Sequence, residues 1–462
     1  MTDRKRFLFY GLLVIAIIVL GVWLYNYLFF GTVQVTTKDG VLTLSYPTVN
    51  GVNGANISQG TNQIKTKLKK GSYVVSSVSG SALASQTIQI KAHTLSKYDL
   101  TPAAPRLLEP VFAESSQNIA AGNRLVYLSP AEAKLYQIDS SNNLSAIAPN
   151  NVFRLVRWAD SDYGVAQDNG GNLYVIDNND VRPLSTPSGT KTKQYLQYSV
   201  TPDRNVYIAD GGNLYLGSEK TGFKEIASGL NPASLITAGR SVLAWISDND
   251  SDNPNSAPSI TVISNGKEVT RKGIGSFVGA WSSDGKYLAV SSQNGGEILD
   301  NQLKRIAIIP QSSFKNPVWL SGTKLAYSTN GQLWTYDLVS QRTDVIGQAN
   351  AGETIEEITP SQDSSYIYLG IRGINGTPSI RRLSLKDTRL SPLLAKLTVF
   401  LPLNLSECAA GYLNFTKLSV LVRPYNPSQT TQCLQDIRTN LANDQIDINN
   451  IGFSVGPVLS LD

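Results

Sequence analysis

Three aspartates, Asp248, Asp250 and Asp252, alternate along the stretch Asp248-Asn-Asp-Ser-Asp-Asn-Pro254. Oxygen ligands at every second residue are how the first half of a calcium loop wraps a hard cation. Asn253 stands where such a loop has its turn glycine, and Ser259 where its chelating glutamate belongs, so a solvated acidic loop is the competing reading. Cys408 and Cys433 are the only cysteines. A disulfide between them would close a loop of about 26 residues and stabilise a small module by ~3 kcal/mol on the chain-entropy account; two buried free thiols are the alternative. The one histidine, His93, is far in sequence from any nucleophile, which disfavours Ser-His-Asp and Cys-His sites and His-ligated zinc, copper or iron. No Gly-rich phosphate loop joins a strand to a helix. Asp162, Asp203, Asp284 and Asp363 offer carboxylates for a glycosidase-type pair, yet all four fall in turns, where aspartate serves the backbone. The residue set points to a protein that is not an enzyme and that needs no cofactor, Ca²⁺ being the one cation its residues suggest.

Two further patterns bear on binding. Lys65, Lys67 and Lys69 alternate with Ile64, Thr66 and Leu68, and Lys70 follows. In a strand this puts three ammonium groups on one face, either as a solvated, aggregation-resistant edge or as a contact for anionic head groups or wall polymers. Trp158, Trp281 and Trp319 take matching places at the ends of short apolar runs. They read as packing between neighbouring repeats, with an aromatic rim for a sugar or peptide as the alternative.

The elements that would carry these residues are repetitive. Short β-forming runs recur at Leu125–Leu128, Tyr163–Ala166, Val206–Ala209, Val242–Trp245, Tyr287–Val290, Leu325–Tyr327 and Tyr366–Leu369. Each is followed by a small-x-Leu-aromatic type strand, at Lys134, Asn172, Asn213, Ser259, Glu297, Gln332 and Ser379, spaced 35 to 47 residues apart. That period suits four-stranded blades, and seven units make a ring. Gly171, Gly212, Gly285 and Gly331 sit where tight hairpins need positive φ. The fold class expected is mainly β: a seven-bladed β-propeller with an N-terminal transmembrane helix, a small β-sandwich and a small C-terminal α/β module.

The segment Trp281-Ser-Ser-Asp-Gly-Lys-Tyr-Leu-Ala289 resembles the repeat of TolB-like and WD40-like (PD40-type) bacterial propellers, with Val200-Thr-Pro-Asp203 and Ile358-Thr-Pro360 as weaker copies. The resemblance implies a fold and is nearly silent on function. Lys70-Gly-Ser-Tyr-Val-Val75 is similar to a segment of PEGA-type, transthyretin-like envelope domains, without the Pro-Glu-Gly-Ala signature itself. The aspartate loop resembles the calcium loops in the blades of integrin-type propellers.

Read along the chain, residues 1–6 form a cytoplasmic tip and 7–30 a transmembrane helix, 24 residues without a charge. Arg4, Lys5 and Arg6 place the N-terminus inside and all later domains outside the cell membrane. A PEGA-like sandwich is expected at 31–92, a linker at 93–117, the propeller at 118–393, closed by a strand near 107–112, and the α/β module at 394–462 with a helix over 430–443. Net charge is +5, too small and scattered for a nucleic-acid partner. The function expected is a membrane-anchored extracytoplasmic binding or scaffolding protein that presents its propeller to a protein or cell-wall polymer; the alternative is an envelope hydrolase with a propeller-borne carboxylate site.

Overall fold

Alternating burial along long strands dictates the first part of the architecture. The computed structural model describes residues 3–47, 54–112, 117–139, 144–187, 197–210, 212–228, 232–237, 242–247, 259–264, 267–272, 279–292, 295–309, 314–329, 331–373, 376, 378–385, 400–406, 409–414, 419–424, 428, 430–443 and 452–455. The chain divides into two units, one of Met1–Pro105 with Thr335–Ile346, the other of Arg106–Trp334 with Gly347–Asp462.

In the first unit, helix α1 (Asp3–Phe29) runs directly into β1 (Phe30–Ser45), followed by β2 (Asn56–Lys69), β3 (Gly71–Ser79), β4 (Ala82–Ile90) and β5 (Leu95–Asp99). The order is β2-β1-β3-β4. The first half of β1 pairs in parallel with β5 and its second half antiparallel with β3, with a register shift between Thr36 and Val41. Residues 33–36 and 41–45, on either side of that shift, therefore belong to one strand. Val33, Val35, Leu42 and Leu44 alternate inward and are fully buried; at about 1.5–3 kcal/mol per fully buried aliphatic side chain, this face is what closes the unit. Residues 93–117, expected as a linker, begin with β5, and Leu100 behind it is buried. Arg342, Thr343 and Asp344 pair with Gln86, Ser85 and Ala84 of β4. The run 7–30 lies almost entirely on α1. Side chains of α1 are described from Ile15 onward, where Ile15, Ile17, Ile18, Leu20 and Trp23 are exposed. Among the described residues no helix is long and apolar enough to cross a membrane.

The second unit is built of antiparallel four-stranded sheets of consecutive strands spanning 117–147, 155–184, 197–227, 232–272 and 279–309. Two of their second strands, Leu125–Ser129 and Tyr163–Gln167, are buried along their whole length. That is why they read as continuous apolar runs rather than alternating ones. Sheets pack face to face: Val126, Leu128 and Leu135 of one share a core with Phe153, Val156 and Ile176 of the next. Gly171, Gly212, Gly285 and Gly331 all take the positive φ that their hairpins require.

Five such blades are self-contained, rather than the seven expected. The strands Lys315–Trp319, Lys324–Thr329, Gln332–Asp337 and Arg342–Gln348 follow the repeat, but the last is shared out: its start pairs with β4 in the first unit, and Gly347 and Gln348 pair in parallel with Arg106 and Leu107. The final set, Thr354–Pro360, Tyr366–Arg372 and Pro378–Ser384, has three strands of its own and takes Glu109–Phe112 as its fourth. A sequence repeat counts hairpins, whereas a separate blade also needs its own outer strand with no neighbour beyond it. The first strands of the five blades, together with Lys315–Trp319 and Thr354–Pro360, nevertheless touch one another in sequence and close into one cycle.

The C-terminal module pairs Phe400–Ser406, Ala409–Asn414 and Ser419–Pro424 antiparallel. Helix α2 (Thr430–Asn443) then crosses over to Gly452–Val455, which lies parallel to Ser419–Pro424. Cys433 and Ile437, one helical turn apart, are both fully buried.

Candidate functional site: the inner strand ring

Four of the turns that follow first strands, at Ser161, Thr201, Ser282 and Ser361, combine a small polar side chain with an aspartate. In the fifth blade the Ser282 hydroxyl donates to Asp284 Oδ1 at 2.7 Å and accepts the Tyr287 amide at 3.0 Å, while Asp284 also accepts the Lys286 amide at 3.2 Å. The last set repeats this with Ser361, Asp363 and the amides of Ser365 and Tyr366. Thr201 does the same work for the Asn205 amide, with Asp203 accepting from Asn205 Nδ2 at 2.8 Å. Asp162 pairs with Arg124 at 3.4 Å and accepts from Ser161. Burial opposes ionisation of Asp284, but hydrogen bonds from Ser282 and Lys286 outweigh it and hold the carboxyl below the usual range. The four carboxylates weighed as a glycosidase set are thus all engaged in turn structure.

The inner ring is fastened by side chains that reach from one first strand to the next. Trp158 Nε1 donates to the Asn118 carbonyl at 2.6 Å, and Trp319 Nε1 to the Ala280 carbonyl at 2.9 Å. Asn118 Oδ1 accepts the Val156 amide at 3.0 Å, and Asn316 Nδ2 donates to the Ile355 carbonyl at 3.1 Å. Both asparagines sit in bulges of their strands with φ of 53° and 50°. Asparagine tolerates that left-handed backbone better than other side chains do, and the bulge frees backbone groups for a neighbour.

At the seam where the cycle closes, Glu357 performs the fastening. Its carboxylate accepts the Ile119 amide at 2.7 Å and also the Asn118 amide, while Thr359 Oγ1 donates to the Ile119 carbonyl at 3.1 Å. Burial pushes the Glu357 carboxyl up to about 7, against the two amides and the positive charge of Arg157, which favour the ionised form. Arg157 is itself exposed. Its charge also bears on Tyr198, whose phenol burial pushes upward and whose hydroxyl donates to the Leu155 carbonyl at 3.1 Å. The ring therefore holds an exposed arginine and, within reach of its charge, a carboxyl that burial pushes up to about 7. That arrangement can bind and can store a proton.

No family model matches the chain, and no curated protein matches it. Solved structures do: YCF48 bound to D1 peptide, at 9% identity over 62% of this chain and 100% of that chain with a TM-score of 0.45; and a streptogramin B lyase, at 11% identity over 60% and 97% with a TM-score of 0.44. Virginiamycin B lyase from Staphylococcus aureus is similar at 10% identity over 60% and 95%, with a TM-score of 0.43. At such identities the likeness concerns fold alone; the propeller assignment rests on the strand pairing and the closed inner cycle.

The residues singled out in the sequence fall in different places. Asp248, Asp250 and Asp252 lie outside the described residues. Cys433 is disulfide-bonded, and Cys408, the chain's other cysteine, lies outside the described residues. Trp158 and Trp319 make the cross-strand bonds above, whereas the buried Trp281 indole N–H has no partner among the described residues. Lys65, Lys67 and Lys69 occupy the exposed face of β2, with Lys70 just beyond it. Lys67 Nζ donates to Asn26 Oδ1 of α1 at 3.0 Å and stands 5.5 Å from the Phe30 ring centre; Lys70 stands 5.2 Å from that of Phe29. His93, with φ of 61°, lies on the exposed turn before β5, its ring centre 3.5 Å from that of Tyr27. Sequence reading passed over Glu357. The signal was there in Glu356-Glu357, the only paired carboxylates on a first strand.

Proposed function

We propose that this chain is a membrane-anchored, extracytoplasmic binding or scaffolding protein of the cell envelope, presenting a propeller to a protein or cell-wall partner. The observation that carries the binding reading is the engagement of Asp162, Asp203, Asp284 and Asp363 in blade turns. A hydrolase built on those carboxylates would have to break the turns to use them. The anchor reading is supported by the uncharged run 7–30 and by the exposed apolar side chains from Ile15 to Leu28 on α1. Kinship with TolB-like or WD40-like propellers and with PEGA-type domains rests on Trp281–Ala289 and Lys70–Val75 alone. Binding of Ca²⁺ by Asp248, Asp250 and Asp252 rests on their spacing.

The test is crosslinking of the full-length chain in intact membranes, followed by extraction and affinity capture, with and without a calcium chelator. One protein or wall polymer enriched over an unrelated anchored control supports the reading, and its loss on chelation assigns the aspartate loop a part. Release of the chain from membranes by alkaline carbonate refutes the anchor; capture of the bait alone refutes the partner.

A further inference from the structure

The last two turns of α1 and the start of the following sheet line an open pocket. Trp23, Asn26, Tyr27 and Phe30 line one side; Thr32, Lys67, His93 and Leu95 line the other, around a volume of about 370 Å³. Strand register explains the second wall, since Thr32 of β1 stands between Lys67 of β2 and Leu95 of β5. The same face continues with Gln34 between Lys65 and Lys97, and begins with Phe30 beside Lys69. The pocket thus opens on a face bearing Lys65, Lys67, Lys69 and Lys97, all exposed. None of the ion pairs among the described residues involves these lysines.

Depth along the helix decides what would fill it. Lys67 bonds to Asn26, so an ammonium group stands beside the outer part of the uncharged run. An ammonium group is costly in hydrocarbon, which sets the outer limit of the apolar span at Tyr25. Phe7 to Tyr25 then measures about 28 Å at 1.5 Å per residue, close to the ~30 Å hydrocarbon thickness of a bilayer. Trp23 and Tyr27, stacked with ring centres 5.1 Å apart, lie at head-group level, where such rings settle. A cavity there that combines an ammonium group, an imidazole, an amide and two aromatic rings offers donors for phosphate oxygens and an apolar wall for the glycerol carbons.

Resting on the membrane-anchor reading above, we propose that this pocket holds the phosphate-bearing head group of an anionic phospholipid, with Lys67 and His93 as its polar contacts and Trp23 and Tyr27 as its wall. The full-length chain is reconstituted into nanodiscs containing equal phosphatidylglycerol and phosphatidylcholine, extracted into mild detergent, and its retained lipid counted by native mass spectrometry. Phosphatidylglycerol is expected to be retained at least fivefold over phosphatidylcholine. Lys67→Gln with His93→Gln should abolish that preference, and Lys67→Arg should keep it. Equal retention of the two lipids by the wild type, or an unchanged preference in the double variant, overturns the proposal. So does displacement of the lipid by millimolar inorganic phosphate, which would mark a free-phosphate site. Carbonate extraction of the same variants separates the two readings: a chain that stays in membranes without lipid preference refutes the pocket alone, whereas a chain that is released refutes the anchor as well.

Discussion

Replacing Glu357 with glutamine should remove a defined share of the pH dependence of stability. A carboxyl whose folded pKa is raised holds its proton more tightly in the folded than in the unfolded chain. The stabilisation this brings is complete below the ordinary value of 4.5 and is lost as pH climbs through about 7. That interval corresponds to roughly 3 kcal/mol; because Glu357 keeps some accessible surface, about 2 kcal/mol is the safer figure. Glutamine stays neutral throughout and its Oε1 can still accept one of the two amides that Glu357 receives. For a domain of this size about 2 kcal/mol amounts to ~4 °C in Tm. The assay is thermal unfolding of the full-length wild type and Glu357→Gln in the same detergent at pH 5 and pH 8. The wild type should lose about 4 °C more than the variant between the two conditions, since all other titrating groups cancel in the comparison. An equal loss in both proteins would show that the ring seam does not hold a carboxyl against its charge, and the account of Glu357 would be withdrawn.

Two further outcomes are expected. Trp319→Phe removes the bond to the Ala280 carbonyl and part of the stacking on Tyr287, at 6.0 Å between ring centres; urea unfolding should show a loss of about 1–2 kcal/mol, and a midpoint equal to the wild type would mean the tryptophan only fills space. Reduction of the disulfide at Cys433 should raise amide exchange in α2, with ~3 kcal/mol of local stability lost, while exchange in the blades at 117–309 stays as it was; faster exchange there would show that the module supports the ring.

The blades were legible because second strands such as Leu125–Ser129 and Tyr163–Gln167 are buried on both faces, and because Gly171, Gly212, Gly285 and Gly331 stand where φ must be positive. The helix at 430–443 was legible from the four-residue spacing of Cys433, Ile437 and Leu441. Elements whose partner lies far along the chain were not. Leu95-Ser-Lys-Tyr-Asp99 is too polar to announce a strand, and becomes one by pairing with Thr32–Thr36 some 60 residues earlier. Glu357 earns its place through amides 238 residues away, a relation that no local window contains. The count of separate blades failed for a related reason: where Arg342–Asp344 pairs depends on the edge offered by β4, not on its own composition. The lysine face of β2 was plain from alternation, whereas the bond of Lys67 to Asn26 depends on how α1 runs into β1.

The fourth strand of the last sheet, Glu109–Phe112, precedes its partner Pro378–Ser384 by roughly 270 residues. During synthesis it is therefore made before any of the five separate blades and must stay unpaired until nearly the whole chain has emerged. Closing so long a loop adds only slowly to the entropic cost, since that cost grows with the logarithm of length, but contacts this distant in sequence slow folding markedly. Until Thr354–Pro360 has been made, Gln117–Ala121 also lacks its neighbour in the ring, so the growing arc carries two open ends. A chain truncated before residue 354 would keep those ends exposed, and proteolysis or aggregation rather than a smaller stable ring is its expected fate.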